Sequence, residues 1–141
     1  MSNDRRERSK AVATWLAVLG GSLGLHRFYL HGMRDPWAWL HPWPTLVGAY
    51  GFWRLRQLGT DDLLGSRLVP LLGAMVAVGM LAAIVYGLTP AERWRVRFGE
   101  RGAGTGWATV IGVVVALAVG ATATMATIAY TAQRYFELRA P

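Results

Sequence analysis

The sequence predicts an all-α protein built as a polytopic membrane bundle of four helices. Three observations predict it. Hydrophobic residues make up 53% of the chain and charged residues only 16%, whereas soluble domains carry about 25% charged residues. The apolar residues are also clustered: 68–88 and 107–132 are free of Asp, Glu, Lys and Arg, and roughly 20 such residues cross about 30 Å of hydrocarbon. Finally, the 15 Lys and Arg gather at the borders of the apolar runs, where cations anchor helices against anionic headgroups.

The elements follow in chain order. Residues 1–10 form a polar tail in which Arg5, Arg6, Arg8 and Lys10 outweigh Asp4 and Glu7. The first apolar run, 11–25, reaches only about 22 Å as a helix. Phe28-Tyr29-Leu30 is therefore expected to complete the crossing, with Arg27 snorkelling at its border. Gly20 and Gly24, with Gly21 between them, have the small-residue spacing that lets helices approach closely. A Trp- and Pro-rich turn follows, holding Trp37, Trp39, His41, Pro42, Trp43 and Pro44. Indole suits the headgroup region because it joins an apolar body to one N–H donor. The second segment, up to residue 58, is weaker, interrupted by Arg54 and Arg56.

Residues 59–67 read as a polar linker and 68–132 as a second helical hairpin, with Pro70 in the first turn of its leading helix, where proline is tolerated. Its connecting loop, 89–106, alternates Arg93, Trp94, Arg95, Val96, Arg97 and Phe98 as a strand would. Yet Arg93, Arg97 and Arg101 also share helical spacing, so a strand and an interfacial helix both remain open. Trp94 and Trp107 join Trp37, Trp39 and Trp43 as expected interface anchors. In the last span Gly112, Ala116 and Gly120 recur every fourth residue and form a packing face. Residues 133–141 are a polar tail. Four crossings place nine basic residues on the side of both termini and six on the other, which puts both ends in the cytoplasm of a bacterial-type inner membrane. If the second segment only dips and returns, the split is eight to seven.

The string from Leu19 through Gly20-Gly21-Ser22-Leu23-Gly24-Leu25 into His26-Arg27-Phe28-Tyr29-Leu30 resembles the signature of the TM-two domain family, in which a glycine-rich helix runs into a His-Arg-Phe-Tyr-Leu turn and a second helix. The likeness covers about 11–58. The sequence departs from the pattern in having His31 before Gly32, and in Arg54 and Arg56 after Gly51-Phe52-Trp53 where the family has an acidic residue. The resemblance implies a paired-helix membrane unit and no particular reaction.

Chemistry inside membranes needs ionisable residues within the spans, and the four apolar segments contain no Asp or Glu. The ionisable candidates are His26, Arg27, His31 and His41 around one turn. They form either a polar cluster for an anionic headgroup, a metal or a partner, or a hydrogen-bonded corner that fixes the turn. The chain lacks cysteine, which removes disulfides, thiolate metal sites and thiol nucleophiles. No histidine pair has ligand spacing within a helix, so no cofactor or metal is expected. The net charge of +7 is attributed to membrane anchoring rather than nucleic acid, for which no binding motif is present. The expected role is non-enzymatic, exercised through helix packing with itself, with a membrane complex or with the lipid bilayer. An oligomeric channel or small-solute transporter is the alternative.

Overall fold

The computed structural model describes residues 8–99 and 103–140, so most of the basic head and Arg101 lie outside the described residues. All regular structure among the described residues is helical: α1 Lys10–Gly20, a single 3-10 turn Gly21–Leu23, α2 Leu25–His31, α3 Pro36–Leu40, α4 Pro42–Leu58, α5 Leu63–Leu88, α6 Ala91–Phe98 and α7 Trp107–Glu137. Local chemistry sets the boundaries. Asp35 caps α3 by accepting from the Trp37 N–H, with Pro36 at the first helical position. Asp62 caps α5 by accepting from the Gly65 N–H at 2.9 Å. Side-chain caps of this kind satisfy donors that the first helical turn leaves open, and proline there gives up an N–H that had no helical partner.

Helices α5 and α7 are each long and apolar enough to cross a membrane. In a soluble protein such helices form the core. Here only 17% of the most apolar window of each is buried, and Leu81, Leu117 and Ile128 are 60%, 60% and 64% exposed. Continuous apolar surface turned outward suits hydrocarbon rather than water.

These two helices run antiparallel. Gly87 lies against Val113 and Thr109, Gly120 against Met80, and Gly73 against Thr127. At the far end Arg134 donates to Thr60 O and to Ser66 Oγ. Helix α1 enters from the opposite end, where the Lys10 ammonium donates to Thr89 O and Thr105 Oγ1, both at 2.7 Å. Deeper in, Trp15 Nε1 donates to Ala108 O at 2.9 Å, Thr14 meets Gly112, and Gly21 meets the backbone of Gly79. Gly79 lies about 14 Å from the α5 terminus at Leu88, at roughly 1.5 Å per residue. Helix α1 thus descends only part of the way along α5.

There the chain reverses. Gly24 adopts φ +76°, a left-handed conformation that costs a side-chain-bearing residue about 1–2 kcal/mol. Helix α2 then climbs back beside α1: Leu25 packs on Gly20, Leu30 joins Ala13 and Trp94 in one cluster, and Tyr29 Oη accepts from Ser9 N at 3.0 Å. The expected crossing by 11–30 is therefore replaced by a hairpin of partial depth, because the glycines at 20, 21 and 24 interrupt the helix. Helix α3 descends again to the Gly24 turn, where Ala38 O and His41 approach it. Thr45 Oγ1 donates to Ser22 O, and α4 continues with Gly48 on Leu72 and Gly51 on Leu68. The α1–α2 hairpin and α4 lie one after the other along α5.

Two boundaries differ from expectation, and one open alternative is decided. Helix α5 starts at Leu63, so the linker at 59–67 shrinks and Pro70 lies inside the helix rather than in its first turn. Residues 91–98 are helical, settling the ambiguous loop. Helix α7 runs on to Glu137 through most of the expected tail. Arg8 and Arg134 lie at opposite ends of the α5–α7 pair: Arg8 N donates to Phe98 O at one, while Arg134 donates to Thr60 and Ser66 at the other. The added reversal at Gly24 changes the parity of the path.

Arg54 holds Asp62 in a two-point pair, Nε to Oδ2 and Nη2 to Oδ1, both 2.9 Å. The Arg54 hydrogen bond keeps the Asp62 carboxyl below its ordinary value of 3.8, against the opposing effect of burial. A depressed carboxylate stabilises the fold above its unfolded pKa and loses that contribution as pH falls through the folded one. Asp62→Asn is accordingly expected to lower the thermal midpoint near neutrality and to flatten its decline as pH falls below the ordinary carboxylate value of 3.8. Equal pH slopes for variant and parent in detergent melts would refute this.

Candidate functional site

Two short helices bring their basic residues to one place. Arg27 and His31 are four apart on α2, and Arg93 and Arg97 are four apart on α6, a spacing that puts each pair on one helix face. Both pairs line a cavity of about 410 Å3 that is also lined by Val85 and Tyr86 of α5, by Thr89 just after it, and by Trp94 and Phe98 of α6. The position of α6 is fixed by Trp94, which is 1% exposed. Its Nε1 donates to Arg8 O at 2.8 Å, and its ring packs on Phe98 at 4.7 Å and Tyr86 at 6.2 Å. The position of α2 follows from the Gly24 reversal.

Asp35 organises the charges on the α2 side. Its Oδ2 accepts from Arg27 Nε at 2.9 Å and lies 3.9 Å from His31 Nδ1. Burial opposes its charge, but hydrogen bonds from Arg27 and from the Trp37 N–H outweigh that and hold the carboxyl below the usual range. His31 is drawn below the usual histidine value by burial and then by the Arg27 charge, with Asp35 pulling the other way and Arg97 adding to the lowering. A hydrogen bond to the Arg27 backbone also pulls upward, and the net effect favours the neutral ring, which carries one donor and one acceptor nitrogen. Among the described residues, no carboxylate lies within 4 Å of Arg93 or Arg97, while Glu92 pairs with Arg95 at 3.9 Å.

The four ionisable candidates at the turn divide into two groups. Arg27 and His31 reach the cavity. His26 and His41 do not. His26 is 2% exposed, its ring 5.8 Å edge-on from His41 and 5.6 Å from Tyr86, and His41 Nδ1 pairs with Trp37 O at 2.7 Å. Among the described residues, no group of three His, Asp or Glu converges on a metal position. Phe28 stands edge-on to Trp39 at 5.2 Å, Tyr29 ties α2 to Ser9, and Leu30 is core. Arg93 and Arg97 were visible in the sequence as a helical pair, but their partners across the cavity depend on the Gly24 reversal.

The packing residues are engaged inside the chain: Gly20 with Leu25, Gly21 with Gly79, Gly24 with α3, Gly112 with Thr14, and Gly120 with Met80. Ala116 shares a buried cluster with Ala17, Met80 and Ala83. Trp37, Trp39, Trp43 and Trp107 are exposed, whereas Trp94 is fully buried and is no interface anchor, because α6 folds back over α2 and the start of α1. Comparison with protein-family models, with curated proteins and with solved structures finds no match.

Proposed function

We propose that this chain is a non-enzymatic, multi-pass membrane protein that acts through contacts with lipid or with a membrane partner. In this reading α3 and α4 together, α5 and α7 make three crossings, and α1–α2 is a hairpin of partial depth. One observation carries the arrangement: Gly21 meets Gly79 partway along α5, beyond which the chain turns back. The resemblance to the TM-two domain family implies a two-helix unit over 11–58 with His-Arg-Phe-Tyr-Leu at its turn; in this reading that string lies in helix α2, and α3 with α4 supplies the second helix of the unit. The small residues that could have built an oligomeric channel are occupied within the chain, which favours contact with lipid or a partner over a pore.

Three crossings also sharpen the orientation. Arg8, Lys10, Arg27, Arg34, Arg93, Arg95 and Arg97 belong to the α6 end, against Arg54, Arg56, Arg67, Arg134 and Arg139 at the other. The positive-inside rule then assigns the N-terminus and α6 to the cytoplasm and the C-terminus to the opposite face, the periplasmic one in a bacterial inner membrane.

The chain's lack of cysteine makes the test direct. Single cysteines from Ser2→Cys, Arg95→Cys and Arg139→Cys are probed with an impermeant maleimide. Only Arg139→Cys is expected to label in intact cells, the other two requiring permeabilisation. Four full crossings would make Ser2→Cys and Arg139→Cys label alike, and that pattern would remove the partial-depth hairpin.

A further inference from the structure

We propose that the cavity between α2 and α6 binds a phosphate group, gripped by Arg93 and Arg97 from one side and by Arg27 and His31 from the other. The inference rests on the membrane reading above only in placing this cavity at the headgroup level.

Three arginines line the cavity, and among the described residues only Arg27 has a carboxylate at hydrogen-bond distance. Like charges converging on one space repel unless something anionic lies between them. Guanidinium suits that role, since its planar fork donates two parallel N–H bonds to a phosphate or carboxylate. The i, i+4 pairing on both helices lets the groups act from opposite walls. His31 lines the same space as a polar ring rather than as a fourth fixed charge. Its proximity to Arg27, Asp35, Arg97 and Phe98 makes it a reporter of occupancy.

Phosphate is favoured over a carboxylate because three separate cations suit an anion with several oxygens and more than one charge. The aromatic wall of Trp94, Phe98 and Tyr86 provides an apolar side against which a glycerol or acyl portion of a phosphate ester would lie. The volume of about 410 Å3 falls within the range of small-molecule sites, roughly 300–1,000 Å3. Two sources share this chemistry, an anionic phospholipid headgroup and a free phosphate. The position beside the end of α5, where its apolar run stops, favours the lipid.

The experiment uses the full chain in phosphatidylcholine nanodiscs. In one arm phosphatidylglycerol is added and retained lipid is counted by native mass spectrometry. In the other, inorganic phosphate is titrated while the His31 ring proton is followed by NMR. Occupancy by either is expected to raise the pH at which His31 titrates, because an adjacent anion favours imidazolium. The double variant Arg93→Gln/Arg97→Gln is expected to weaken retention by about tenfold or more, as loss of charged hydrogen bonds does. Arg95→Gln, on the same helix but outside the cavity, is expected to bind as the parent does. Both arginines are exposed, and an unchanged thermal midpoint checks that the double variant is folded. Phosphatidylglycerol retained without competition from phosphate identifies the lipid, and competition identifies the free anion. Failure of both probes, or wild-type retention by the double variant, overturns the proposal. Neither result alters the maleimide pattern, so the two readings fall separately.

Discussion

Gly21→Leu is expected to destabilise the fold severely, separating the α1–α2 hairpin from α5. A Cβ at Gly21 would stand 2.5 Å from Gly79 Cα, and one at Gly79 would stand 2.8 Å from the Gly21 carbonyl carbon. Both neighbours are backbone, so no side-chain rotation can make room. Among apolar helices in lipid the association rests largely on such close van der Waals packing, because the hydrocarbon solvent offers no hydrophobic drive. Overpacking ordinarily costs about 1–3 kcal/mol, occasionally more. A leucine forced between two helix backbones belongs at or above the upper end, since it also opens the neighbouring contacts of Ala17, Ala83 and Ala116, each 0% exposed. Gly104→Leu is the control, as nothing lies within 4 Å of that position. Thermal melts in detergent are expected to show a much lower midpoint for Gly21→Leu and little change for Gly104→Leu. A wild-type midpoint for Gly21→Leu would mean that α1 does not sit on α5.

The same glycines mark the boundary of what the sequence reveals. Apolar length alone identifies α5 and α7, because 21 or more uncharged residues in a row have few other uses. The small-residue spacings of 20–24 and 112–120 also point to close packing. Their partners were not legible. Gly20-x-x-x-Gly24 reads as one helix face, yet Gly24 has left the helix for a positive φ, and the helix-to-helix contact belongs to Gly21. A spacing rule assumes a continuous helix, and three glycines within five residues break that assumption. From this one reversal follow the hairpin that descends only partway along α5, and the cavity itself. Arg27 and His31 were identified at the turn. Only the return of α2 toward α6 brings them together with Arg93 and Arg97. Trp94 was misplaced for a related reason: indole composition signals a headgroup position in general, and cannot reveal that Arg8 O and the Phe98 ring already occupy this one.

Trp94→Ala is the second substitution with a large expected effect, and it acts through a different force. Helix α6 lies beyond the end of α5, and in the arrangement proposed above water rather than hydrocarbon competes there for apolar surface, so ordinary hydrophobic burial governs its docking. Trp94 is the largest fully buried side chain and packs in one cluster with Ala13, Leu30 and Ala103. Its removal is expected to cost about 3–5 kcal/mol, as for other buried Trp→Ala changes. Trp94→Phe divides the effect, since it keeps most of the ring and forfeits the hydrogen bond to Arg8 O, worth about 1 kcal/mol. Trp107→Ala, at a position 82% exposed, supplies the comparison at equal loss of volume. Hydrogen exchange is expected to show α6 amides opening far more readily in Trp94→Ala, with α7 protection retained, because α7 packs on α5 independently of α6. Since α6 forms one wall of the arginine cavity, Trp94→Ala should also release a bound phosphate while leaving Arg27, His31, Arg93 and Arg97 all in place. Protection of α6 equal to that in Trp107→Ala would show that another contact fixes this helix, and the account of how the cavity is built would fail with it.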